Sequence, residues 1–323
     1  MRHNKSGQVR PRLFFLLRVL LSLSLVAFLL RFIDVTTLID ALAAANPLLV
    51  ILALAWLLFD RIIMAYRWRI LLLAKSISIP LLQLTKIYFI GNFWGLFLPS
   101  NLAPDVVRVY LAARTWAHGT SDMFSSVLID RVIGMAVLMG MAGVAVLTLA
   151  LSRQTILGPS ASVMVLAASL CFPLMFWLWP KLPVPGALSR GFAGRVGEKI
   201  RRLYASCHSY RQARASLVRV ILLACVSHAG AILMVYTLSM ALSLQVGVVY
   251  FFVFVPLITV FTMLPISLGG IGVQEGAFAY FFSLAGMPLA GSLALSLLLR
   301  VLSIIASLPG GLLSLPQENY RQA

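Results

Sequence analysis

The sequence predicts an all-α polytopic integral membrane protein, with about six full spans and two re-entrant hairpins in an inverted repeat. Three observations lead there. Of 323 residues, 61% are hydrophobic and 11% are charged, whereas a soluble domain carries about a quarter charged residues. Several apolar runs are long enough to cross a bilayer, which takes about 20 helical residues. Two further apolar runs break at small-residue loops that open with proline and resume as helices too short to cross.

The elements follow in chain order. Arg2, Lys5, Arg10 and Arg12 precede an apolar run from Leu13 to Ile33, broken only by Arg18 and Arg31. The run exceeds a signal-peptide core and no small-residue cleavage site follows, so it reads as a retained first span with a cytoplasmic N-terminus. Thr36–Asn46 is short and amphipathic and suits an interfacial helix on the far side. Pro47–Tyr66 is the second span, and the cluster Arg61, Arg67, Arg69 and Lys75 returns the chain to the cytoplasm. Met123–Leu151 and Ala161–Trp179 are the third and fourth spans, joined by Ser152–Ser160. Pro180–Arg219 is rich in Lys and Arg against the single acid Glu198. This basic loop, 180–219, is a cytoplasmic topology signal, with recruitment of anionic headgroups as the other reading. Leu217–Leu242 and Leu289–Leu313 complete the spans. The whole chain, 1–323, reads as one membrane domain.

Between these spans lie the broken segments. Leu81–Pro99 breaks at Pro99–Pro104 and resumes at Asp105–Arg114; Tyr250–Leu264 breaks at Pro265–Gly272 and resumes at Val273–Tyr280. Each reads as Tyr-Phe, an apolar run, Leu-Pro, a small-residue loop and an acid opening a helix, a weak repeat over 81–117 and 250–286. Three spans separate them, so the first hairpin enters from the cytoplasm and the second from outside. The alternative is eight full spans, one arm of each hairpin crossing as a short helix. Paired interruptions in inverted halves point to a transport site near the midplane. Pro99, Asn101, Pro104, Pro265, Gly269, Gly270 and Gly272 form the loops. The helix N-termini at Asp105 and Val273 then aim unpaired N–H groups at an anionic group.

Ionisable residues inside apolar runs are the second signal: Asp60, Arg61, Asp105, Arg108, Asp130, Arg131, Glu275 and Arg300. Each costs about 2.5–3.5 kcal/mol at a helix centre unless paired or wet. Asp105 and Arg108 share a helix face at i,i+3. Asp130 and Arg131 project about 100° apart and need partners elsewhere; Arg300 has no local partner. One reading is ion pairing between helices. The other has Arg108, Arg131 and Arg300 present guanidinium forks to a lipid phosphate, with Asp105, Asp130 and Glu275 as counter-charges. Arg67-Trp68 reads as an interfacial anchor, and Asn92 and Asn101 as partners for broken backbone. Pro309-Gly310-Gly311 ends or kinks the last helix. The Gly270–Gly276 stretch lacks dinucleotide-binding spacing. Cys171, Cys207 and Cys225, and His3, His118, His208 and His228, have no metal-ligand spacing, so neither cofactor nor metal is expected. Net charge of +17 could point to nucleic acid, but the basic residues interrupt apolar runs instead of forming one face.

These residues resemble a known family, the flippase-like membrane domain of lysylphosphatidylglycerol synthases of the multiple peptide resistance factor type. The resemblance rests on Arg67-Trp68; Tyr88–Phe93 with Leu98-Pro99 and Asp105–Arg108; Ser125–Gly134; Leu264-Pro265 with Gly269–Gly276; and Arg300 near Leu308–Gly311. It implies a bacterial inner-membrane protein that moves a lipid between leaflets, in the stand-alone form without a synthase domain. Relatives of that form are associated with hopanoid, glycolipid and polyprenyl-linked pathways, and a separate lipid-synthesis enzyme is an implied partner. Where the family has a glycine pair before the acid of the first hairpin, this chain has Ala103-Pro104, a stiffer turn.

The function expected is therefore a flippase or transporter of a phospholipid or other anionic lipid. No ATP-binding motif occurs, so a gradient would drive it, with Glu275 or Asp105 as candidate proton couplers. A membrane enzyme of lipid or glycan-lipid modification, and an accessory subunit that gathers lipid, are the alternatives.

Overall fold

Asn46 opens the first long helix, α1 (Pro47–Leu73): its side-chain oxygen accepts from the Leu48 N–H at 3.0 Å, and Pro47 occupies the first turn, where its missing N–H is no loss. The computed structural model describes residues 36, 40, 42–98, 103–116, 120–152, 158–178, 205–263 and 267–314. After α1 come α2 (Leu81–Gly95), α3 (Ala103–Trp116), α4 (Thr120–Leu151), α5 (Pro159–Leu178), α6 (Arg214–Ala241), α7 (Val248–Met263), α8 (Val273–Leu284) and α9 (Leu289–Leu313). Two 3-10 turns, Ser209–Gln212 and Leu268–Gly270, precede α6 and α8. No strand occurs among the described residues. α1, α4, α6 and α9 are each long and apolar enough to cross a membrane. Their outward faces carry large apolar side chains such as Ile51, Leu52, Leu151 and Leu222, the arrangement a lipid solvent stabilises.

The expected first span Leu13–Ile33 and most of the basic loop lie outside the described residues, as do most of the proposed interfacial helix and the hairpin residues Pro99, Asn101 and Pro265. Within the described chain, two segment boundaries need correction. α1 does not stop at Tyr66: it continues to Leu73, because Arg67, Trp68, Ile70, Leu71 and Leu72 are buried and hold the last turns in the bundle. The end of the basic loop is structured, with α6 starting at Arg214, so Arg214 and Arg219 are helical.

Packing orients the helices. α1 runs antiparallel to α4, with Arg67 against Asp130 and Lys75 against Asp122. It also runs antiparallel to α6, where the Asn46 N–H donates to the Ala241 carbonyl at 2.9 Å and Ser227 to Asp60. The C-terminal end of α1 and the N-terminal ends of α4 and α6 thus share one end of the bundle. α2 leaves from that end and α3 returns to it. These two fold back on each other: Pro104 seats against Gly91 and Gly95, and Arg108 lies over the Tyr88 ring at 4.6 Å. α7 and α8 make a second pair from the opposite end, with Phe251 and Phe254 against Phe282. Both pairs lean on α9.

Close approach of backbone explains several glycines. A Cβ at Gly230 would lie 1.7 Å from the Trp56 ring, and one at Gly310 would lie 2.0 Å from the Phe89 carbonyl oxygen. α9 runs through Pro309 to Leu313, so Pro309-Gly310-Gly311 does not end the helix. It is the flat surface on which α2 lies.

Gly310→Ala is expected to lower the thermal unfolding midpoint of the purified protein, equivalent to about 1–3 kcal/mol of overpacking, because backbone cannot rotate away. Gly140→Ala meets nothing within 4 Å and serves as control: it should be neutral, or stabilising by about 0.5–1 kcal/mol.

Candidate functional site

The intramembrane charges fall into two groups. In the first, the antiparallel contact of α1 and α4 brings Arg67 to Asp130: Nη2 donates to Oδ1 at 2.7 Å and to the Asp130 carbonyl at 3.4 Å. Both side chains are almost fully buried. Next to Arg67, Trp68 donates from Nε1 to Ser126 Oγ at 2.8 Å and packs edge-on against Tyr88. Arg131, one residue along α4, points away from Arg67 and donates from Nε to Asp105 Oδ2 on α3. The other oxygen of Asp105 pairs with Arg108 Nη2 at 2.7 Å. One carboxylate therefore bridges two guanidinium groups. Arg108 also donates to the Tyr88 hydroxyl and stacks against the Tyr88 and Trp68 rings, 4.6 and 5.3 Å away; such faces suit a guanidinium. Arg108 is 3% exposed, Asp105 15% and Arg131 28%, so this group opens to its surroundings through Asp105 and Arg131.

The second group is the turn into α8. Gly269, Gly270 and Gly272 have φ of 56°, 74° and 81°, a left-handed path that side chains rarely adopt. Glu275 closes the turn by accepting from the Gly272 N–H at 2.7 Å. Arg300, midway along α9, donates from Nε to Glu275 Oε1 at 2.6 Å and from its two terminal nitrogens to the carbonyls of Gly269 and Gly270 at 3.4 and 3.3 Å. Gln274 donates to Ser296 Oγ at 3.3 Å. The turn is thus tied to α9 by both side chains of the Gln274-Glu275 pair.

Most of the sequence-derived site residues find partners here. Asp105 and Arg108 pair as their spacing predicts, and Asp130 and Arg131 find partners on α1 and α3. Arg300, which has no local partner in sequence, meets Glu275 through the fold-back of α8 on α9. One expectation is corrected: Arg67-Trp68 is not an interfacial anchor, since Arg67 is 2% and Trp68 0% exposed and both are held by α4. Pro104 packs in the first helix pair, and Asn92 is half-buried on α2. Sequence reasoning missed Tyr88 and Gln274 as partners of the arginines. No charge marks them, and only the pairing of α2 with α3 and of α8 with α9 gives them that role.

A third polar group sits at the bundle end shared by α1, α4 and α6. Lys75 Nζ donates to Asp122 Oδ1 at 2.8 Å, Ser206 donates to the same oxygen at 2.6 Å, and the Tyr210 hydroxyl donates to the Leu71 carbonyl at 3.1 Å. Burial pushes the Cys207 thiol there up to about 11, with Lys75 opposing the shift. A lateral groove of about 590 Å³, lined by Val137, Met141, Val144, Cys225, Val249 and Phe252, opens between α4, α6 and α7.

Arg67→Ala is expected to destabilise the purified protein by about 3–5 kcal/mol, since it strands the buried Asp130 carboxylate. Lys75→Ala, whose partner Asp122 is half exposed, should cost about 0.2–1 kcal/mol. Thermal unfolding in one detergent compares the two; equal losses would contradict the different burial of the pairs.

Comparison with curated proteins and with solved structures gives no match. The family model described as the lysylphosphatidylglycerol synthase TM region matches residues 15–311, a stretch that contains every charged group above. This chain is a member of that family, a multi-pass membrane region with a lipid-related setting.

Proposed function

We propose that the protein is a lipid flippase that moves a phospholipid or other anionic lipid between the leaflets of a bacterial inner membrane. The observation that carries this reading is Asp105, a single carboxylate shared by Arg108 and Arg131. Two guanidinium groups converging on one exchangeable anion form a site a lipid phosphate would enter by displacing the Asp105 side chain. Asp105 then acts as the counter-charge of the empty site. Arg300 and Glu275 hold the second turn, and Arg67 and Asp130 hold the α1–α4 contact behind the site. The lateral groove supports acyl chains that stay in the bilayer while the headgroup crosses.

In this reading α2–α3 and α7–α8 are re-entrant hairpins from opposite faces, six further segments cross fully, and the N-terminus is cytoplasmic. The return of α3 to the end from which α2 departs favours the hairpin over the eight-span arrangement.

Purified protein in liposomes should accelerate exchange of a fluorescent phosphatidylglycerol between leaflets. Arg108→Ala and Arg131→Ala should each slow it about tenfold or more, the loss of a charge-assisted hydrogen bond of about 1.5–3 kcal/mol. Arg108→Lys should not restore it, because an ammonium cannot span Asp105, Tyr88 and a phosphate together. Exchange at the uncatalysed rate with wild-type protein, or unchanged exchange in both alanine variants, would reject the reading.

For topology, Ser78→Cys and Arg114→Cys should react with an impermeant thiol reagent from the same face, and Gln245→Cys from the other. Reaction of Ser78→Cys and Arg114→Cys from opposite faces would instead establish eight spans.

A further inference from the structure

Six acids lie among the described residues: Asp40, Asp60, Asp105, Asp122, Asp130 and Glu275. Asp40 is exposed. Asp105, Asp122, Asp130 and Glu275 each pair with Arg or Lys. Asp60 differs from all of them. It lies within the apolar helix α1 and is 9% exposed. Among the described residues it has no ion pair, and its hydrogen-bond partner is the Ser227 hydroxyl on α6, which donates to Oδ1. Arg61, its chain neighbour, turns away toward the Met64 sulfur at 3.9 Å. An unpaired carboxylate is among the most costly groups to hold in apolar surroundings, and it relieves that cost by taking up a proton.

The neighbourhood connects this acid to the anion site. Asp60 and Arg67 are seven positions apart, on one face of α1. The charges that act on Asp60 are Arg61 and Arg67 on its own helix and Asp130 on α4. From α6 come Ser227 and, next to it, His228, whose Nε2 is buried and has no hydrogen-bond partner among the described residues. That nitrogen sits 3.1 Å from where a Cβ on Gly134 would be, and Arg67 Nη2 lies 3.6 Å from the same point. α2 and α9 also pack on α1, with Lys86 and Arg300 as their charged residues. Asp130 stands between the two sites, paired with Arg67 on one side and acting on Arg108 on the other.

We propose that Asp60 is the proton-binding group of this protein, and that its proton uptake strengthens the anion site at Arg108 and Arg131. The chemistry is one reversible step: a hydronium ion gives up one O–H proton to the carboxylate, leaving water and a carboxylic acid. Ionised Asp60 draws on Arg67 and loosens its hold on Asp130, leaving Asp130 to compete for Arg108 and Arg131. Protonated Asp60 leaves Arg67 to Asp130, and the two arginines become available to a phosphate. Proton and anionic headgroup then bind cooperatively, each favouring the other by the same factor. This coupling rests on the lipid-transport reading; proton binding by Asp60 does not. Asp105 and Glu275, the couplers expected from sequence, differ from Asp60 in being ion-paired with arginine.

Two measurements test it on the full chain. In the first, liposomes carry fluorescent phosphatidylglycerol under an imposed pH gradient of about one unit, which supplies about a tenfold ratio of proton activity. The ratio of exchange rates with and without the gradient should rise to severalfold in wild type and stay at one in Asp60→Asn. A wild-type ratio of one, or an equal rise in the variant, overturns the proposal. The second needs no lipid movement: infrared difference spectra between acid and alkaline buffer should show a protonated-carboxyl band that is lost in Asp60→Asn and shifted in Ser227→Ala. A wild-type band unchanged in both variants overturns the proposal. If wild-type protein moves no lipid, the flippase reading fails, and the infrared band alone decides whether Asp60 binds the proton.

Discussion

A charge inside a lipid bilayer costs free energy unless another charge or a dipole meets it, and the described part of this protein is organised around that constraint. Its central expression is Arg67 with Asp130. The pair ties α1 to α4 at a depth where neither side chain reaches solvent. Its geometry orients the next residue on each helix, so that Trp68 reaches Ser126 and Arg131 turns outward to Asp105. From this contact α3 is located, and with it the bridged arginines.

The remaining contacts obey a second requirement, that helices without a hydrophobic driving force between them must approach closely to gain dispersion energy. Gly91 and Gly95 admit Pro104, Gly230 admits the Trp56 ring, and Gly310 admits the α2 backbone. These small residues matter for the charges as well. Gly134 leaves room for His228 beside Arg67, and the left-handed glycines of the second turn present their carbonyls to Arg300. The short helices α3 and α8 both carry an acid in their first turn, and in both an arginine from another element neutralises it. The proposed lipid path and proton site use this one network. The first would use a carboxylate shared by two arginines, and the second a buried carboxylate whose hydrogen-bond partner is a hydroxyl.

Much of this was legible in the chain. Apolar run length marks the four long helices, and their boundaries differ by a few residues because Arg67, Trp68 and Arg214 look like ends of spans. In α1 the extra turns remain helical since Arg67 finds Asp130 and Trp68 finds Ser126, partners that hydropathy alone does not reveal. The i,i+3 pair Asp105 and Arg108 was legible because a helix brings those positions together by itself. Arg300 looked isolated for the opposite reason: Glu275 lies twenty-five residues away and approaches only when α8 folds back.

Class, helix content and the identity of the costly residues follow from composition and local periodicity and can be read along the chain. Which of those residues are neutralised depends on how the helices pack. Asp105, Asp130 and Glu275 look no different from Asp60 in sequence, each an acid beside apolar residues. Folding gives the first three a guanidinium and leaves Asp60 with a hydroxyl, since Arg61 points elsewhere and α6 offers Ser227 at that level. Ion pairing between helices depends on rotation and register, which the chain specifies only through the packing of the whole bundle.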